Sequence, residues 1–154
     1  MGFRLRSQDF KEGEVIPKEF SCEGEGLSPQ LVWENPPSGT KSFALTVEDP
    51  DAPMGTFVHW VVYDLPSNLQ VLERGAGTKG TKDSVKQGLT DFGQAGYGGP
   101  CPPKGHGRHR YVFILRALDV PTLGVPNGAR KSEVERAMKG HILAEAKIIG
   151  IYQR

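Results

Sequence analysis

The side chains best suited to chemistry gather around one stretch of the chain. Residues 93–107, GQAGYGGPCPPKGHG, spend nine of fifteen positions on Gly and Pro and lead directly into an apolar run. A connection of that length without regular structure of its own usually serves a function. Between Phe92 and Leu118 stand Lys104, Arg108, Arg110 and Arg116 with His106 and His109, and no carboxylate. That local surplus of donors argues for an anion held by backbone N–H groups and ring nitrogens. His109 and Tyr111 are two residues apart at the entrance to a strand, so both side chains should point to one face. His59 shares parity with Phe57 and Val61 and is therefore expected in an apolar row. A buried imidazole there needs a partner, and Asp49 or Asp51, at the end of the preceding strand, is the obvious acid. Taken alone, His59 reads as a satisfied core residue. Taken with the Gly/Pro loop, His109, Tyr111 and the acidic turn, it reads as part of a site. His106 is expected in a solvent-facing loop, and His141 on a helix face near a backbone carbonyl.

Sharper chemistries find less support. Gly75, Gly77 and Gly80 match GxGxxG as a string, but the strand before them is doubtful and Thr81-Lys82-Asp83-Ser84 opens no amphipathic helix, so the segment reads as a glycine-rich loop. The Walker A pattern fails at the same place. There is no GxSxG, HExxH or CxxC. His106, His109, His59 and Asp49 are chemically competent zinc ligands, yet without a second tight pair the spacing is a weak metal signal, and no metal or other cofactor is expected. A Cys101 nucleophile served by His109 is permitted but unsupported. Cys22 and Cys101 are expected as reduced thiols in a cytosolic chain, although both occupy Gly-rich, loop-like contexts that could meet in space; the sequence leaves the pairing open.

The elements that must position these groups are mostly strands. Residues 41–49 place Phe43, Leu45 and Val47 at the period of two that marks a half-buried strand. The following Asp49-Pro50-Asp51-Ala52-Pro53 cannot continue a ladder. Residues 57–65 and 111–118 are apolar on both parities, as in central strands covered on both faces. Residues 31–33 form a shorter strand before a Pro/Gly turn, and residues 15–16 a weaker one. A helix is expected only near the C-terminus, where Ser132 and Glu135 suggest a capping box and Val134, Ala137, Met138, His141 and Ile142 recur at helical spacing; residues 146–152 revert to strand.

With 154 residues, 37% of them hydrophobic, the chain is expected to form one domain, 1–154, large enough for a core that needs neither metal nor disulfide. Nineteen basic against eighteen acidic residues make a broad phosphate-neutralising field, and hence nucleic-acid partners, unexpected. No apolar run approaches a membrane span, and a cytoplasmic location is the expectation. The fold class is mainly β: antiparallel sheets around a large central sheet, with one or two helices near the C-terminus.

The strings Asp49-Pro50-Asp51-Ala52-Pro53, Phe57-Val58-His59-Trp60 and Gly99-Pro100-Cys101-Pro102-Pro103-Lys104-Gly105-His106-Gly107-Arg108-His109-Arg110-Tyr111, in this order, resemble the phosphatidylethanolamine-binding protein family in its prokaryotic Raf-kinase-inhibitor-like branch. The resemblance covers nearly the whole chain. It implies a small anion pocket at one end of the sheet, formed by Asp49, Pro53, His59, Pro102, Pro103, His109 and Tyr111 with Asp51 beside them, and a cis Ala52–Pro53 peptide. It further implies a non-enzymatic binding protein for phosphate or a phospho-headgroup, inhibition of a kinase or protease, and a homodimer. The competing readings are a hydrolytic enzyme using the Asp/His/Tyr pocket and an interaction protein with a vestigial pocket.

Overall fold

The computed structural model describes residues 2–77 and 85–154, so half of the glycine-rich segment 75–80 lies outside the described residues. Among the described residues, eight strands form two antiparallel sheets. The smaller contains β1 (Arg4–Arg6), β2 (Leu31–Glu34) and β5 (Val71–Leu72) in the order β1-β2-β5. The larger contains β3 (Ser42–Asp49), β4 (Phe57–Pro66), β6 (Lys86–Gln87), β7 (His109–Leu118) and β8 (Ile142–Tyr152) in the order β6-β4-β3-β7-β8. The chain is thus mainly β, with one α-helix among the described residues, α1 (Lys131–Met138), near the C-terminus. Residues 15–16 form only an isolated parallel bridge, Val15 to Ile151.

One face of the large sheet packs against the small sheet, whereas the other is covered by α1 over β3 and β4 only. β7, expected to be covered on both faces, is corrected to a strand buried on one face, since Val112, Ile114 and Arg116 stay half-buried, and β8 alternates buried with exposed or half-buried positions. Phe43, Leu45, Trp60, Val62, Phe113 and Leu115 pack with Trp33 and Leu31 of the small sheet, whereas Ala44, Val61 and Tyr63 pack with Val134 and Met138 of α1. Residues 42–47 are therefore buried at every position. The half-buried strand expected from their alternation is corrected, because Ala44 and Thr46 face the helix side without being strongly apolar. The α1 start is corrected too. The Glu133 carboxylate accepts the Arg130 N–H, while Ser132 lies inside the first turn. His141 falls beyond the helix, where it pairs with Asp119 at 2.8 Å in place of a backbone carbonyl.

One irregularity decides where His59 points. Val47 pairs with Trp60 but Glu48 pairs with Val58, so β4 carries an extra residue, a β-bulge, at His59. Parity fails across it: Val58 and Val61 both pack on the helix side. His59 consequently leaves the row assigned to it with Val61.

Candidate functional site

Because β3 is antiparallel to both β4 and β7, the end of β3 lies beside the starts of its two neighbours. Asp49, His59, His109 and Tyr111 therefore meet at one end of the large sheet. They line a cleft of about 530 Å³ together with Pro53, Pro102 and Pro103. Phe57 of β4 and Cys101 complete much of its wall with Met54, Phe92 and Asp91, three residues missed in the sequence because each depends on which loop folds over the sheet end. Asp51 does not line the cleft. It forms a two-pronged ion pair with Arg110, at 2.9 Å from Nε and 2.8 Å from Nη2, and it accepts the Arg110 backbone N–H. That hydrogen bonding holds the Asp51 carboxyl at about 2.

The two cleft histidines have different partners. His109, 1% exposed, places Nδ1 2.6 Å from the carboxylate of Asp49, itself 3% exposed. A carboxylate only accepts here, so Nδ1 carries the proton. The other Asp49 oxygen accepts the Asp51 N–H at 2.8 Å, which fixes the carboxylate from the acidic turn. His59 Nδ1 lies 2.7 Å from the Gly98 carbonyl, which again fixes the proton on Nδ1 and leaves Nε2 as the available ring nitrogen. The expected pairing of His59 with Asp49 or Asp51 is therefore corrected: the Gly/Pro loop supplies a backbone acceptor, and Asp49 belongs to His109. Burial pushes the His59 pKa below its ordinary value, more than the Gly98 carbonyl and the Asp49 charge raise it.

Tyr111 stands between them, with ring centroids 5.1 Å from His59 and 6.5 Å from His109. Its hydroxyl is buried and has no hydrogen-bond partner among the described residues. Burial first, and the nearby Asp49 carboxylate second, raise its pKa, so it remains a protonated donor.

The loop is tied down from below. Cys22 and Cys101 form a disulfide with Cα atoms 5.4 Å apart, which corrects the expectation of reduced thiols and removes Cys101 as a free nucleophile. The Cys22 N–H donates to the Pro100 carbonyl, and the Tyr97 hydroxyl to the Phe20 carbonyl. A Cβ at Gly99 would lie 2.5 Å from the Phe20 oxygen, so only glycine allows this approach. The Ala52–Pro53 peptide is trans, contrary to the implied cis bond.

The basic residues do not converge. Lys104 and Arg108 are exposed, Arg110 is paired with Asp51, and Arg116 is paired with Glu145. Among the described residues the cleft wall carries no Lys or Arg. His106 is exposed as expected, but its Nδ1 lies 2.7 Å from His109 Nε2. Among the described residues no group of three or more His, Cys, Asp and Glu is placed to hold a metal ion, and no helix is long and apolar enough to cross a membrane.

Comparison with known proteins agrees with this fold. The model of the family described as phosphatidylethanolamine-binding protein matches residues 6–153. A UPF0098 protein of Aquifex aeolicus is 54% identical over 148 residues, 96% of this chain and 86% of that protein. The Escherichia coli protein YbcL, described as a new member of the mammalian PEBP family, superposes with a TM-score of 0.93 at 36% identity, covering 100% of this chain and 99% of its own. CT736 of Chlamydia trachomatis, described as a putative PEBP homolog, gives a TM-score of 0.90 at 40% identity, covering 99% and 98%.

Proposed function

The chain belongs to the phosphatidylethanolamine-binding protein family, and from that premise we propose that it is a binding protein whose cleft receives a phosphate-like group, free or as the end of a phosphorylated headgroup or peptide. The observation that carries this reading is the buried hydroxyl of Tyr111, a cleft-lining residue 1% exposed beside His59; no acceptor among the described residues completes a hydrogen bond to it, although the Asp49 carboxylate is near. A buried donor left unsatisfied costs about 1–3 kcal/mol, which an acceptor on a ligand recovers. The apolar walls, Phe57, Phe92 and the prolines, strengthen that hydrogen bond by displacing water.

His59 sets the protonation requirement. Its Nδ1–H is committed to Gly98, so a phosphate oxygen can bond Nε2 only with a shared proton, brought by the ligand or taken up by the ring. Asp49 and Asp91 also disfavour a dianion. Affinity therefore rises as pH falls through the second ionisation of the ligand, about 6 for a phosphate monoester and higher for inorganic phosphate. Calorimetric titration with inorganic phosphate and with phosphoethanolamine between pH 5.5 and 8 tests the reading. Tyr111→Phe should weaken binding by about 1.5–3 kcal/mol; equal binding by parent and variant at every pH would remove the cleft from consideration.

A hydrolase is the competing reading, since an Asp–His pair is what acid–base chemistry would use. Here His106, and no hydroxyl or thiol, occupies the outer nitrogen of His109, and Cys101 is bonded to Cys22, so a binding role fits the groups better. A single domain follows from the chain's length and composition, and a kinase or protease target and a homodimer carry over from the family resemblance; sedimentation of only a 16.8 kDa species would retire the dimer. A persistent Cys22–Cys101 bridge favours an oxidising compartment over the reducing cytosol.

A further inference from the structure

Both nitrogens of His109 are in use. Nδ1 donates to Asp49, and Nε2 faces His106 Nδ1 at 2.7 Å. An anion that takes a hydrogen bond from His109 must therefore break one of these contacts. The Asp49 bond is buried at both ends and anchored by the Asp51 N–H, whereas the His106 bond ends on an exposed ring. His106 also sits between Gly105 and Gly107, both at positive φ with open space where a Cβ would stand. The turn itself stays fixed, because the His106 N–H donates to the Pro103 carbonyl and the Gly105 N–H to the Arg154 carbonyl. Only the ring needs to swing.

We infer that His106 is a displaceable cap on the cleft: it occupies His109 Nε2 in the free protein and must leave before a phosphate-class anion can use that nitrogen. His106 thereby sets the affinity of the cleft without contacting its occupant. The inference rests on the phosphate reading of the cleft. The proton count gives it direction. One proton lies between the two rings; when the pair takes up enough protons for both facing nitrogens to be donors, neither can accept and the contact breaks. His109 Nε2–H then faces the cleft. The charged and titratable groups around the pair are Asp49 on β3, Tyr111 and the Arg110–Asp51 pair on the β7 side, Lys104 and Arg108 on the loop, and Arg154 at the chain end.

The test uses the full chain, inorganic phosphate and long-range 1H–15N spectra of the imidazoles. Ligand-free protein should show His106 Nδ1 and His109 Nε2 hydrogen-bonded to each other, and phosphate should abolish that bond. His106→Ala should bind phosphate about 2- to 10-fold more tightly at pH 7.5, the scale of one net hydrogen bond. His106→Gln, whose amide can still cap Nε2, should return to parental affinity. Phosphate binding that is unchanged or weaker in His106→Ala, or a His106–His109 bond that survives saturation, overturns the cap while leaving the cleft as the anion site. No phosphate binding by parent or by His106→Ala at any pH overturns both.

Discussion

The two histidines of the cleft show how neighbours divide one residue type into two roles. His59 and His109 are almost equally buried, at 4% and 1% exposure, and each donates from Nδ1. His109 donates to a carboxylate from the neighbouring strand of the same sheet, and its outer nitrogen is joined to a second imidazole. His59 donates to a backbone carbonyl of a loop and sits among Phe57, Phe92 and Tyr111 rings. The first half of the cleft is a hydrogen-bonded carboxylate–imidazole–imidazole chain built on sheet register. The second is a neutral ring held by a loop that a disulfide fixes in place.

The largest expected effect separates the halves directly. Asp49→Ala removes the buried acceptor of both the His109 ring N–H and the Asp51 N–H, and should cost about 2–6 kcal/mol in denaturant unfolding, about 1–3 for each donor left unsatisfied. His59→Phe, which gives up one neutral hydrogen bond and leaves the Gly98 carbonyl, should cost only about 1–3 kcal/mol. Equal losses would erase the contrast. Next comes the disulfide under the His59 half. Joint replacement of Cys22 and Cys101 by Ser releases a crosslink between residues 79 apart and should cost about 2–4 kcal/mol. Its spectral changes should centre on His59 and Tyr97, leaving the Asp49–His109 bond intact.

Smaller effects depend on pH. His59 ionises below its ordinary value of 6.5 in the folded chain, so the unfolded chain takes up this proton first. Its contribution is whole above pH 6.5 and is lost as pH falls toward the lowered folded value. Acid sensitivity across that window should shrink in His59→Phe, measured by denaturation midpoints at pH 7 and 5. The smallest effect lies outside the cleft. Asp51 is held at about 2 by Arg110 hydrogen bonding, so its stabilising contribution is present above pH 3.8 and disappears as pH falls toward 2. Arg110→Ala should return the Asp51 titration toward 3.8 by NMR, with no change at His109 Nε2.

Much of this was legible in the residues themselves. Period-two and doubly apolar runs located β3, β4 and β7, and the spacing of His109 and Tyr111 put both on one face. The Gly/Pro density of residues 93–107 marked the loop that supplies Gly98, Cys101, Pro102 and Pro103 to the site. These are local properties, because alternation and backbone permission act over a few residues. The partners of the titratable groups were another matter. Simple parity placed His59 with Val61, and only strand pairing reveals the bulge that separates them. Composition put four basic side chains near the loop, and only tertiary packing turned Arg110 onto Asp51 and Arg116 onto Glu145.

The sequence alone determined a β-rich chain with an acidic Pro turn, a glycine-rich loop and strand-borne histidines, since these follow from residue type and short-range geometry. Tertiary structure decided that Asp49 holds His109, that Gly98 holds His59, that the His106 ring meets the outer nitrogen of His109 and that Cys22 meets Cys101. Each of those pairings, apart from His106 with its near neighbour, joins groups 39 to 79 residues apart. Hydrogen bonds and disulfides are satisfied by whatever the fold brings within reach, and that is set by register and loop closure across the whole sheet.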